Sequence, residues 1–240
     1  MELVTVIIPL YTEHLTDNEW VSLHQTCRVL GNYPITVVKP QGLSLTRLPA
    51  LYPNLRVESF DDGFFKNIRG YNRLMLSPDF YVRFNAFEYI LIAQLDAYVF
   101  TDQLAAWCAK GYDYVGAPWL VKSFYRWVPW HRKFITDNRV GNGGFSLRKV
   151  ASHWQAVTQL ASVLPPYLEA AHHWYHEDVF FAVEPNRHGL GFRYPDPAEA
   201  LQFSFDKYPH LCYKRNHRQL PFGCHGWDKR KMKRFWKKHI

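Results

Sequence analysis

The segment HEDVFF at residues 176–181 sets two adjacent carboxylates, Glu177 and Asp178, in front of an apolar stretch. An acid at the start of a buried helix is held rigidly enough to take a proton from an attacking hydroxyl, so this pair is the strongest catalytic candidate in the chain. Acids in a first turn also complement the helix dipole, and plain capping is the competing explanation. Three glycines, Gly141, Gly143 and Gly144, fall within four residues. Such a segment lets backbone approach a ligand too closely for any side chain, with exposed amides free to bind hydroxyl groups and Asn142 as a polar contact; a tight turn into residues 145–148 is the alternative. Asp96 is a lone acid just past the apolar run 89–94, where it could serve a ligand or cap a turn. His225 lies in GCHGW at 223–227, and imidazole is a reasonable ligand for manganese or zinc. A zinc site from His210, Cys212, His217, Cys224 and His225 is disfavoured, because no two cysteines are close and the spacing matches no usual structural zinc pattern.

The elements that must position these residues read as alternating strands and helices. A continuous β-branched run at 4–11 suits a strand buried on both faces. Thr16 and Glu19 fit a capping box, after which Trp20, Leu23, Cys27 and Leu30 recur at helical spacing until Gly31. Strands are expected at 35–39 and 55–60, a helical region over 66–87 with a break near Pro78, the most apolar strand from 89, a short helix at 101–109, and a further strand at 112–118. Residues 141–149 then lead into a helix near 150–162. Strand, helix and strand in succession predict a parallel sheet, and ligands of such sheets bind beyond the carboxyl ends of the strands. Asp61, Asp62, Asp96 and the turn after the first strand would face that edge.

Composition narrows the class. The chain has 240 residues, 48% hydrophobic and 17% aromatic, with nine Trp and seventeen Phe, which excludes disorder and suits one large α/β domain. Most Trp residues follow position 100, and flat indole faces are common platforms for sugar rings, although core packing explains many of them. No apolar run reaches the roughly 20 residues that span a bilayer. The early run at 3–10 contains Pro9 and follows Glu2, unlike a signal peptide, so the chain is read as cytoplasmic. The cysteines at 27, 108, 212 and 224 show no close pairing, in keeping with a reducing compartment. Residues 228–240 hold seven Lys or Arg against one acid, a net +6 of the total +8. With Phe235 and Trp236 among them, this tail reads either as a helix lying at the inner face of an anionic membrane or as a solvated end whose two aromatics dock on the core. The nearly neutral body excludes a nucleic-acid groove.

Taken in order, VIIPLY at 6–11, QLDAYVF at 94–100, GNGGFSLRK at 141–149, HEDVFF and FGCHGW at 222–227 resemble the motifs of GT-A-fold glycosyltransferases, in an uncharacterised bacterial branch. The resemblance implies a Rossmann-like single α/β domain over 1–227, with a central, mostly parallel sheet flanked by helices. Residues to about 110 would bind a nucleotide sugar, a UDP-sugar being the expected donor, and residues 111–227 a glycan or lipid-linked acceptor. The implied reaction moves the sugar to an acceptor hydroxyl in glycan or cell-surface polysaccharide synthesis, inverting, with Asp178 as base and Glu177 on the acceptor. Asn142, Gly143, Gly144 and Trp119 would contact the sugar or acceptor, and Pro9, Tyr11, Lys39, Asp62, Arg69, Asn72, Asp96 and Tyr98 the donor. The family pattern also implies a divalent cation, manganese or magnesium, here on Asp96 and His225. Where that pattern has a second acid, this chain has Tyr98. Should no metal bind, Lys39, Arg69, Arg73, Lys214 and Arg215 are the cations available to the leaving group. The missing acid also supports an alternative, a non-catalytic nucleotide- or carbohydrate-binding module. A two-acid glycoside hydrolase is disfavoured, since Asp96 and Asp178 do not suggest the flanking pair that chemistry needs.

Overall fold

β1 (Glu2–Pro9) carries six buried residues in succession because it has neighbours on both sides and helices on both faces. The computed structural model describes residues 1–120 and 139–240; of the tryptophans that follow position 100, Trp127 and Trp130 lie outside them. After β1 comes α1 (Asp17–Leu30), where the Thr16 hydroxyl accepts from the Glu19 amide and the Glu19 carboxylate accepts from the Thr16 amide. This is the expected capping box. β2 (Ile35–Pro40), α2 (Arg47–Leu51) and β3 (Arg56–Phe60) follow, then α3 (Ile68–Met75) and α4 (Pro78–Arg83), divided near Pro78 as the sequence suggests.

β4 (Phe87–Ala93) is the central strand, but the apolar run does not continue straight into its extension. A tight turn, in which the Ala97 amide donates to the Gln94 carbonyl at 2.8 Å, leads to β5 (Ala97–Val99) in a second sheet. α5 (Leu104–Ala109) precedes β6 (Tyr114–Val115) and β7 (Ala117–Pro118). The single strand expected at 112–118 is thus two short ones, broken at Gly116. A Cβ at Gly116 would fall 1.9 Å from the Gly141 carbonyl oxygen, so close backbone approach explains both the glycine and the break. β8 (Val140–Gly141), β9 (Phe145–Lys149), α6 (Val150–Gln159), α7 (Pro165–Glu169), α8 (Glu177–Arg187), α9 (Pro197–Phe203), β10 (Ser204–Phe205), α10 (Pro209–Arg215), β11 (Gly223–His225) and α11 (Lys233–Trp236) complete the described chain.

The main sheet has the order β3-β2-β1-β4-β9-β6. Its first four strands are parallel, and β9 runs antiparallel to both β4 and β6. The expectation of a mostly parallel sheet flanked by helices therefore holds. Ile7, Ile90 and Ile92 face a core shared with α3, α4, α6 and α8, while Val6, Ile8 and Leu91 face one shared with α1 and α5. In β9, Phe145 lies opposite Ala93, so the residues just before β9 sit at the same edge where the parallel strands end. A second sheet, β10-β11-β5, adjoins that edge.

The second sheet also receives the C-terminal segment. Phe235 and Trp236 are buried in a third cluster, with Trp236 stacked on Phe100 at 5.5 Å and Phe235 edge-on to Tyr213 at 5.6 Å. Of the two readings of residues 228–240, the docked one describes the aromatics.

Candidate active site

The C-terminal edge of the main sheet opens into a cleft of about 580 Å³, lined in part by Tyr11, Tyr71, Gln94, Asn142, Asp178 and His225. Its size and place suit a small ligand at the end of a parallel sheet. One wall includes Gln94 from the turn between β4 and β5, and Asp96 follows in the same turn, outside the lining itself. β11 pairs antiparallel with β5, His225 opposite Ala97, and this register brings the imidazole to Asp96. His225 Nε2 lies 3.0 Å from Asp96 Oδ1, and Nδ1 lies 3.2 Å from Asp206 Oδ1. Lys229 Nζ approaches the other Asp96 oxygen at 3.2 Å.

Burial alone would make each of these charges costly, and their mutual contacts outweigh it. Burial opposes ionisation of Asp96, yet hydrogen bonds and charge from His225 and Lys229 bring its carboxyl down to about 2. Burial likewise opposes a charged His225, while Asp206 and Asp96 raise it to about 9.

The glycine segment forms the floor. Asn142 has φ of +81°, a left-handed conformation that asparagine tolerates because its side chain bonds locally; here Oδ1 accepts from the Gly144 amide at 2.9 Å. A Cβ at Gly143 would stand 1.8 Å from Glu177 Oε1, and one at Gly144 would stand 2.2 Å from His225 Nε2. The backbone does approach something too closely for a side chain. What it approaches is the protein's own Glu177 and His225.

The start of α8 forms the opposite wall. Its N-cap, His176, makes no side-chain cap; instead Asn72 Oδ1 on α3 accepts from the Glu177 amide at 2.7 Å. Glu177 is buried and its Oε1 and Oε2 lie 3.1 and 3.0 Å from Nη2 of Arg148, which is fully buried on β9. Arg148 also donates to Ser146 Oγ at 3.0 Å. Glu177 is therefore committed to Arg148. Asp178 also lines the cleft, and among the described residues no Lys or Arg pairs with it: burial first, then the neighbouring Glu177 charge, raise it to about 7, partly offset by the Val179 amide, which donates to Oδ1 at 2.8 Å.

The remaining sequence candidates fall in several places. Tyr11 and Asn72 line the cleft. Pro9 ends β1 opposite Val38. Lys39 is buried and donates to the Pro40 carbonyl, Asp62 accepts from the Gly42 amide, and Arg69 pairs with Glu169. Trp119 packs its ring over Gly141, where a Cβ would meet it at 2.2 Å. Tyr98 packs against Phe100 and Trp227 in the third cluster. Of the alternative cations, Arg73 reaches Glu169, and Lys214 and Arg215 end α10. Apart from Tyr11 and Asn72, none of these residues lines the cleft. Arg148, Asp206 and Lys229 were missed by sequence reasoning. The signal for Arg148 was a charge alternating with Phe145 and Leu147 along a core strand, which calls for a buried acid partner.

A divalent ion does not fit this donor set. Both Asp96 oxygens face nitrogen donors, position 98 supplies a ring packed elsewhere, and Asp206 lies on the far imidazole nitrogen. Among the described residues no three His, Cys, Asp or Glu groups converge as a metal-binding set. Magnesium or manganese would want a shell richer in oxygen.

The model of the family described as "Protein of unknown function (DUF5672)" matches residues 54–225. No curated protein matches the chain. Solved structures do. The galactosyltransferase LgtC in complex with donor and acceptor sugar analogs is 13% identical, with TM-score 0.59 over 92% of this chain and 86% of that one. The WbbM bifunctional glycosyltransferase is 14% identical, TM-score 0.59, over 93% of this chain and 45% of its own. Mouse xyloside xylosyltransferase 1 is 14% identical, TM-score 0.53, over 94% and 97%. The fold is that of GT-A glycosyltransferases.

Proposed function

Since this chain belongs to the DUF5672 family and carries the GT-A fold, we propose that it is a glycosyltransferase moving a sugar from a nucleoside-diphosphate sugar, a UDP-sugar in the first instance, to a hydroxyl acceptor. The observation that carries this reading is Asp178, a carboxyl raised to about 7 in the same cleft as His225 and Asn142. A general base works best when its pKa lies near the working pH. The acceptor oxygen attacks the anomeric carbon and its proton passes to Asp178. The bond from that carbon to the diphosphate breaks, and the diphosphate leaves with the electron pair. A base on the face opposite the leaving group gives inversion. Glu177, held by Arg148, positions the start of α8 and raises Asp178; Asn142 and the cleft tyrosines orient the sugar and acceptor.

A thermal-shift screen of nucleotide sugars tests the reading. A ligand at about 100 times its Kd stabilises by about 2.7 kcal/mol, which for a domain of this size raises Tm by roughly 5–10 °C. Such a shift with a nucleotide sugar and its free diphosphate is expected. No shift with any of them would refute nucleotide-sugar binding.

The acceptor is proposed to be a glycan or a lipid-linked glycan, at the cytoplasmic face of an anionic membrane. No helix among the described residues is long and apolar enough to cross a membrane, and with Phe235 and Trp236 buried, association would rest on charge. Lys233, Arg234, Lys237 and Lys238 are exposed, and a basic residue near such a surface is worth about 1 kcal/mol. Changing these four to Glu is expected to abolish co-sedimentation with phosphatidylserine vesicles and leave soluble-acceptor activity in place; undiminished co-sedimentation would remove the membrane proposal. Deleting residues 229–240 is not a clean test, because it takes Phe235 and Trp236 out of the core.

A further inference from the structure

We infer that Lys229 is the cation that holds the donor's diphosphate and balances the charge it gains on departure, in place of a divalent ion; this rests on the glycosyltransferase reading above. Three features of the chain support this role. The turn after β11 is built to fold it back: Gly226 has φ of +66°, its amide donates to the Asp96 carbonyl at 2.8 Å, and the Lys229 amide donates to the Gly226 carbonyl at 3.2 Å. The Lys229 stem then crosses Gly226 so closely that a Cβ there would lie 2.8 Å from both its Cδ and its Nζ. The positive φ calls for glycine, and the Lys229 side chain fills the space left beside it.

The ammonium is also left available. It lies 3.2 Å from Asp96 Oδ2 with the side chain 52% exposed. An ammonium has three N–H donors, and Asp96 takes one. Of the cations the sequence offered, Lys39 donates to the Pro40 carbonyl, Arg69 and Arg73 pair with Glu169, and Lys214 and Arg215 end α10, so none is paired with Asp96; Arg148 lies beneath Glu177. Lys66 lines the cleft from the turn after β3, whereas Lys229 stands just outside the lining and is joined to it through Asp96 and the lining residue His225.

The local charge balance supports such a cation. Asp96 and Asp206 flank His225, whose own positive charge offsets one carboxylate, and Lys229 offsets the other, at Asp96. When the bond to the anomeric carbon breaks, the leaving β-phosphate keeps the electron pair and gains one negative charge. Lysine binds phosphate as a point charge, and an ammonium already fixed at Asp96 needs little reorganisation at that moment.

Calorimetric titration of UDP, GDP and ADP, each in excess EDTA and again with manganese, tests this on wild type, Lys229→Ala, Lys229→Arg and Lys231→Ala. At least one diphosphate is expected to bind wild type in EDTA, with little change on adding manganese. Lys229→Ala should weaken it on the order of tenfold, about 1.4 kcal/mol, under both conditions and with an unchanged melting temperature in the absence of ligand. Lys229→Arg should recover most of the affinity, and Lys231→Ala should bind as wild type does. Binding that requires manganese, or that is indifferent to Lys229→Ala, would overturn the inference while leaving the glycosyltransferase reading standing. Binding of no diphosphate under either condition would overturn that reading and this inference with it.

Discussion

Asp178→Asn is expected to lower kcat by roughly 10²–10⁴-fold, the usual contribution of a general base, while making the protein more stable at neutral and alkaline pH. The two effects share one cause. Burial, and then the Glu177 charge, raise the Asp178 carboxyl from 3.8 to about 7. The folded chain therefore keeps a proton up to about pH 7 that the unfolded chain releases near pH 4. Stability falls as pH rises through that window and levels off above it, at about 1.4 kcal/mol per pH unit. Asparagine carries no charge to desolvate, so the variant should melt several degrees higher at pH 8 and match wild type near pH 4. Wild-type kcat should rise with pH through about 7 as the carboxyl ionises. Melting curves at several pH values and a rate profile check both; equal loss of stability and activity at every pH would mean that Asp178 merely caps α8.

Arg148→Met should have the largest effect on stability. It removes the cation from a carboxylate that is 3% exposed, and breaking a buried pair from one side costs about 3–5 kcal/mol. For a domain of this size that lowers Tm on the order of 10 °C. Arg148→Met/Glu177→Gln should recover much of the loss, because the uncompensated charge is then gone. Glu177→Gln alone should move the acidic limb of the rate profile below pH 7, since the Glu177 charge is one reason Asp178 is raised. Thermal melts of the single and double variants decide it: additive losses would show that the two side chains are not coupled.

Strands β1 to β4 and the α1 capping box were legible in the sequence because they depend on local patterns, apolar runs and a side chain three residues from its partner. The position of Asp96 at the sheet edge followed from strand topology, whereas Asn142, Asp178 and His225 were associated with it only through the family resemblance. What stayed hidden depends on partners distant in the chain. Arg148 and Glu177 are separated by 29 positions, and nothing near either announces the pair. Gly143 and Gly144 were marked as sites of close approach, but whether a ligand or a side chain does the approaching is a matter of tertiary packing. Phe235 and Trp236 have the composition of a membrane-facing helix and the fate of core residues, since the second sheet offers them Phe100, Phe205 and Tyr213. Lys229 was counted among the tail charges because its distinction, a turn at Gly226 that folds it onto Asp96, is conformational.

The central claim is a carboxylate-assisted sugar transfer in the cleft at the sheet edge. A proton NMR time course of wild type with the donor that raises its melting temperature, in the presence of a glycan acceptor, tests it most directly. The expected result is decay of the donor's anomeric signal, matched by a nucleoside diphosphate and a glycoside of opposite anomeric configuration, with no such change for Asp178→Asn. A donor that remains intact, or a product that keeps the donor's configuration, would contradict it.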